Sequence, residues 1–270
     1  MVDRVTDIVK LPAREGDGHK GTYGTVLLIA GSAGMLGAAI LAARGGLRGG
    51  AGLLRACLPA ELRAAFMSAV PGATTASRGA DMATWLDRVT AVVAGPGLTD
   101  APETRALVDD LLSTCEAPLV LDADALNVIA PLTGPLSVRA PVILTPHPGE
   151  ACRLLGRPQG ELGDREAAAV ELASRSGQLV VLKGARTLVT DGRRLFENST
   201  GNPGLATGGA GDVLAGLLGA LLAQGMGPFD AARLAVHVHG AAGDLVARRL
   251  SQAGLIAEDL PLAIAEVLGS

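Results

Sequence analysis

The sequence predicts a three-layer α/β/α fold around a mostly parallel sheet, in a single domain covering residues 1–270. Three observations predict it. Apolar runs of strand length alternate with longer helical patterns, and that alternation gives parallel strands joined by helical crossovers. The strand candidates are apolar throughout, as a sheet covered on both faces requires. No Pro- or Ser-rich linker and no internal repeat interrupts the pattern.

The elements follow in order. Strands are expected over 26–30, 53–57, 90–94, 119–122, 142–145, 179–183 and 187–191, and helices over 35–47, 101–114, 149–155, 164–176, 212–224, 230–249 and 258–267. The uncharged stretch 21–43 matches the roughly 20 residues of a membrane span in length. Five of its positions are glycine, however, and Gly31-Ser32-Ala33-Gly34 divides it into a strand and a helix. The composition, 49% hydrophobic and 19% charged, is that of a folded chain. Aromatic residues are only 2%, so Ala, Leu, Val and Gly must fill the core, and a bound base must lie on aliphatic or backbone surface.

Charge and cysteine usage narrow the partners. The net charge of −4 without a basic cluster excludes nucleic acid as an expected partner. Cys57, Cys115 and Cys152 are odd in number and far apart, which fits buried thiols in a reducing compartment. The first twenty residues are studded with charge, so no signal peptide is expected, and the glycine-broken stretch 21–43 leaves no membrane partner expected.

In sheets of this kind ligands gather at the carboxyl ends of the strands. The strongest motif is the run from Asn198 to Asp212, with glycines at 201, 204, 208, 209 and 211, leading into the apolar helix expected from 212. Gly208, Gly209 and Gly211 let backbone amides approach a phosphate, and the helix end favours an anion. Asp212 reads as a general base beside that phosphate, or as a plain helix cap. Thr145-Pro146-His147-Pro148-Gly149-Glu150 places His147 in a proline-held loop, or in an ordinary surface turn. Lys183 ends a strand and can neutralise phosphate charge, or simply be solvated. Asp122 or Asp124 can orient magnesium through water, unless Asp124 caps the short helix after it. Gly95-Pro96-Gly97-Leu98 leaves room for a bulky ligand. Gly31, Gly34 and Gly37 spell GxxGxxG and not the dehydrogenase GxGxxG. His237 and His239, two apart on a helix, point to nearly opposite faces and do not suit joint chelation.

Together with His19-Lys20-Gly21-Thr22-Tyr23-Gly24, Gly37-Ala38-Ala39 and Gly50-Ala51-Gly52, these segments resemble the NAD(P)H-hydrate dehydratase family, whose fold is ribokinase-like. Ala210 stands where the family pattern often has Thr. The resemblance implies dehydration of the S-epimer of hydrated NADH and NADPH, with ADP converted to AMP and phosphate and with Mg2+. It implies Asp212 as catalytic base. Lys183, Gly184, Ala185, Arg186, Thr187, Gly208, Gly209, Ala210 and Gly211 would bind nucleotide. Ala39, Gly97, His147 and Asp212 would meet the substrate, and Glu150 would serve the metal through water. It implies a cytoplasmic homo-oligomer, a tetramer, in the stand-alone form without the epimerase domain that many relatives carry. Two readings compete: a small-molecule kinase on the same fold, and a non-catalytic nucleotide sensor.

Overall fold

The computed structural model describes residues 2–14, 16–78 and 82–269. In chain order the elements are β1 (Asp3–Val5), β2 (Thr25–Ile29), α1 (Leu36–Arg48), β3 (Leu53–Leu58), α2 (Arg63–Ala69), β4 (Thr74–Ser77), α3 (Met82–Leu86), β5 (Ala91–Ala94), α4 (Pro102–Thr114), β6 (Leu119–Leu121), α5 (Asp124–Ile129), β7 (Val142–Leu144), α6 (Pro148–Leu155), α7 (Arg165–Ser176), β8 (Leu179–Leu182), β9 (Leu188–Thr190), β10 (Arg194–Glu197), α8 (Ala210–Ala223), α9 (Pro228–Arg249) and α10 (Leu260–Leu268). The strands form one sheet in the order β1-β10-β9-β8-β7-β6-β5-β2-β3-β4. All neighbours pair parallel except β9, which runs antiparallel to both β8 and β10. The link 183–187 is too short for a crossover helix, so β8 and β9 turn back as a hairpin.

Alternation along the strands produces the three layers. Val26 and Leu28 face a core shared with α1, α8, α9 and α10, whereas Leu27 and Ile29 face one shared with α4, α5, α6 and α7. Small residues bring the first layer close. A Cβ at Gly216 on α8 would lie 1.8 Å from the Ala42 carbonyl oxygen of α1, and one at Gly45 would lie 2.3 Å from that of Val213. With few aromatics to fill space, these helices touch backbone to backbone.

Three strands escape the sequence pattern. β1, β4 and β10 are short, and two of them carry charged side chains. β1 and β4 form the two edges of the sheet, where one side stays open and a long apolar run is not needed. Among the described residues no helix is long and apolar enough to cross a membrane, and the stretch 21–43 resolves into β2 and α1.

Candidate active site

Five neighbouring parallel strands, β2, β5, β6, β7 and β8, end on the same side of the sheet and deliver the candidate residues there. Asp122 follows β6, and its backbone N–H donates to the Ala94 carbonyl at the end of β5. Gly95 allows this approach, since a Cβ there would lie 1.7 Å from the Asp122 carbonyl oxygen. Lys183 follows β8, and its amide donates to the Pro146 carbonyl after β7. The Lys183 ammonium then reaches back to Asp122 at 2.6 Å and to Glu150 at 3.8 Å. Burial opposes its charge, but Asp122 and Glu150 more than offset that and hold the ammonium above its usual range. Lys183 is therefore a fixed cation and not a solvated one.

Helix α8 closes the site from above. It begins at Ala210, two residues before the expected start, with Gly209 as its N-cap at φ 91°. Asp212 is therefore the third helical residue and makes no cap bond, which removes its capping role. Helix geometry leaves the Gly211 and Asp212 amides without an intrahelical acceptor. A Cβ at Gly211 would sit 3.4 Å from Lys183 Nζ, so the helix end and the lysine face each other. Gly209 is fixed by its backbone conformation and by Leu41, 2.4 Å from a would-be Cβ, whereas Gly208 faces open space. Asp212 is partly buried, with Asp122, Asp124 and Glu150 near it. Burial first, and Asp122 second, push its carboxyl up to about 7, against the pull of Lys183.

The loop before α8 hangs on α9. Asn198 donates to the Val236 carbonyl at 3.1 Å, and Thr200 donates to that of His237 at 2.8 Å. Asp244 accepts from the Gly201 amide and from the Asn202 side chain, both at 2.9 Å. Buried His239 places Nε2 2.9 Å from the Ala210 carbonyl oxygen, in the first turn of α8. Burial holds its pKa to about 4, so the ring is neutral and donates this bond. His237 and His239 thus serve the scaffold from separate positions.

His147 and Glu150 hold each other. His147 is the N-cap of α6, and its Nδ1 accepts from the Gly149 amide at 2.9 Å, while Glu150 accepts from the His147 amide at 2.7 Å. Burial, with Lys183 and Arg153 nearby, keeps the imidazole below its usual pKa. Its side chain is 49% exposed. With Nδ1 accepting, Nε2 carries the proton. Glu150 is buried, which raises its pKa against Lys183, and the structure gives it a capping task that the sequence reading missed. Asp124 does not cap α5 either: it accepts from the Thr99 amide at 2.8 Å and fixes the turn after Gly97.

Gly184, Ala185 and Arg186 are exposed at the β8–β9 hairpin, next to partly exposed Thr187. Arg165, at the start of α7, donates to the carbonyls of Leu182, Lys183 and Ala185 and pins this hairpin. No local motif announces it. Gly97 has φ 65°, and a Cβ there would meet the Met35 carbonyl oxygen at 2.8 Å. Ala39 has no exposed surface and packs behind Gly31.

Residues 26–265 match the family model described as NAD(P)H-hydrate dehydratase. The chain is 41% identical over 267 residues to the bifunctional NAD(P)H-hydrate repair enzyme Nnr of Moorella thermoacetica, covering 93% of this chain and 50% of that protein. It is 39% identical to the ADP-dependent (S)-NAD(P)H-hydrate dehydratase of Neisseria meningitidis, covering 92% of this chain and 86% of that one. The chain thus spans about half the length of several curated relatives it matches. The ADP/ATP-dependent NAD(P)H-hydrate dehydratase of Bacillus subtilis, co-crystallised with ATP and Mg2+, superposes with a TM-score of 0.88 at 36% identity, covering 96% of this chain and 94% of that one. Ribokinase of Arabidopsis thaliana, at 11% identity and a TM-score of 0.58, shares the fold alone. The chain belongs to the NAD(P)H-hydrate dehydratase family.

Proposed function

We propose that the protein dehydrates the S-epimer of hydrated NADH and NADPH, converting ADP to AMP and phosphate. One observation carries this reading: a partly buried carboxyl pushed up to about 7 stands in the first turn of a helix whose N-terminal end lies against a fixed lysine. A base working near neutral pH needs such a pKa, and a phosphate needs such a helix end.

Asp212 takes the proton of the ring hydroxyl. The hydroxyl oxygen attacks the terminal phosphorus of ADP, and AMP leaves with the bond electrons. The Gly208–Gly211 backbone holds the moving phosphoryl group, with Lys183 balancing its charge. The ring nitrogen lone pair then expels phosphate, and the resulting iminium loses a proton from the neighbouring ring carbon to the departing phosphate, which restores the carbon–carbon double bond. The exposed hairpin residues Gly184, Ala185 and Arg186, with Thr187, hold the rest of the nucleotide. His147 offers its Nε2 proton to the substrate, and Gly97 shapes the ring pocket with Ala39 behind it.

The carboxylates of Asp122, Asp124, Glu150 and Asp212 around one lysine make an anionic, oxygen-rich surface that suits Mg2+. Among the described residues no group of three or more His, Cys, Asp or Glu side chains is placed to hold a metal directly. Glu150 or Asp124 would hold Mg2+ through water, and the ion would supply charge neutralisation for the nucleotide phosphates. Three buried free cysteines support a reducing cytoplasm, and the single sheet supports one domain. A homo-oligomer, a tetramer, is the proposed assembly.

The test incubates pure protein with hydrated NADH and ADP. AMP, phosphate and NADH appearing one for one support the dehydratase. Nucleotide consumption without NADH, or a stable phosphorylated vitamin-precursor alcohol, overturns it in favour of a kinase.

A further inference from the structure

One cationic side chain at the ligand end of the sheet takes no part in the chemistry above. Arg78 follows β4 and reaches across the end of β3 to the end of β2. There its Nη2 donates to the carbonyl oxygens of Ala30 and Gly31, both at 2.6 Å. Its Nε is enclosed and has no hydrogen-bond partner. Among the described residues Arg78 forms no ion pair. Burial pulls its pKa down, and Cys57 and Glu61 return only part of that. A half-buried guanidinium without a carboxylate is costly unless an anion completes it.

The next residue in the same loop carries a matching vacancy. Ser32 Oγ is enclosed and also lacks a hydrogen-bond partner. Enclosed polar atoms are nearly always paired, and these two unpaired groups are linked through Gly31, whose carbonyl Arg78 bonds and which Ser32 follows. Space is present beside them. A Cβ at Gly34 or Gly37 would meet nothing within 4 Å, and Ala33, Gly34 and Met35 are exposed.

The loop is continuous with the substrate wall. The Gly31 amide donates to the Pro96 carbonyl at 2.8 Å, and Gly97 abuts the Met35 carbonyl. From β6, which Asp122 follows, to β2 is two strand spacings, about 10 Å. A nicotinamide ring with its ribose spans that distance, and the next group along a dinucleotide is its pyrophosphate.

We propose that Arg78 and Ser32, with the loop 31–37, form a subsite for the pyrophosphate of the hydrated dinucleotide. The inference rests on the dehydratase reading and adds the place where the substrate's non-reacting half is held. It also separates two phosphate sites: the nucleotide co-substrate at the β8–β9 hairpin and α8, and the dinucleotide at the β2–α1 loop.

The test uses Arg78→Met, Arg78→Lys and Ser32→Ala. Arg78→Met should raise KM for both hydrated NADH and hydrated NADPH by about 10- to 100-fold, the range of a lost charge-assisted bond to phosphate. The KM for ADP and the saturated rate should stay within about twofold, and Arg78→Lys, which keeps the charge but lacks the Nε donor, should recover only part of the loss. Ser32→Ala should raise the dinucleotide KM several-fold without lowering Tm, because Ser32 Oγ bonds nothing in the free protein. Calorimetric titration of NAD+ into ADP-saturated protein should show the same order of affinities without requiring turnover. Wild-type turnover combined with an unchanged dinucleotide KM in both Arg78→Met and Ser32→Ala overturns the subsite and leaves the dehydratase reading intact. A loss confined to hydrated NADPH overturns the pyrophosphate assignment, since it would place the 2′-phosphate there. Absence of wild-type turnover overturns the dehydratase reading itself, and the NAD+ titration then decides the subsite alone: unchanged affinity in Arg78→Met overturns it.

Discussion

Asp212→Asn tests the catalytic and the energetic reading of one carboxyl together. Asn keeps the volume and removes both the charge and the base. Because Asp212 makes no cap bond, helix α8 loses no cap by the change. The rate should fall about 10²- to 10⁴-fold, the usual worth of a general base, while ADP affinity stays within a few-fold. Stability should move the other way. Burial and neighbouring carboxylates lift the carboxyl from 3.8 to about 7. At about 1.36 kcal/mol per pKa unit, holding it ionised costs the fold at most on the order of 4 kcal/mol. Residual solvent access reduces this to about 1–2 kcal/mol, a Tm gain of about 2–6 °C for Asn at pH 8. The sign follows from linkage. The folded pKa lies above the unfolded one, so the folded state binds the proton more tightly, and the cost grows as pH rises from about 4 to 7. At pH 5 the gain should shrink to roughly a third, and near pH 4 it should vanish. Paired pH–rate profiles and thermal melts read both effects, and wild-type kcat/KM should rise through about pH 7. A variant keeping more than about a tenth of the rate, or melting lower than wild type at pH 8, would refute the reasoning.

Other perturbations separate the roles of neighbouring groups. Gly211→Val should fold normally yet bind ADP at least about tenfold more weakly, since its side chain projects toward Lys183, whereas Gly209→Val should lose stability first because its φ of 91° and Leu41 oppose any side chain. Equal melting temperatures for the two variants would contradict that division. Neutral His239 should make the fold acid-sensitive: its unfolded form takes a proton below about pH 6.5 and its folded form only near 4, so stability falls across that window. His239→Gln should flatten this slope while lowering Tm at pH 7 by weakening the bond to Ala210, and an unchanged slope between pH 6.5 and 4.5 would rule His239 out as its source.

Periodicity made the core of the fold legible. The seven apolar runs became β2, β3, β5, β6, β7, β8 and β9, because each lies inside the sheet where both faces are covered. The edge strands β1 and β4 needed no apolar run and left no signal. The reversal at β9 was readable, since residues 183–187 cannot hold a crossover helix. Glycine spacing placed the loop ahead of α8 but not the exact start of that helix, because Gly209 caps α8 with its own backbone and not with a side chain. The pairing of Lys183 with Asp122 joins residues 61 positions apart, and no local pattern encodes it. The same holds for Arg165 on the hairpin and for Arg78 at the end of β2, whose partners are backbone carbonyls supplied by tertiary packing.

In the proposed reaction phosphate is transferred onto the ring hydroxyl and then leaves with that oxygen. Hydrated NADH carrying ¹⁸O in this hydroxyl follows the atom directly. With ADP and unlabelled water, the account predicts one ¹⁸O in each phosphate released with NADH, and none in AMP or solvent. Label appearing in water, with unlabelled phosphate, would mean that ADP is hydrolysed separately from dehydration, and it would contradict the account.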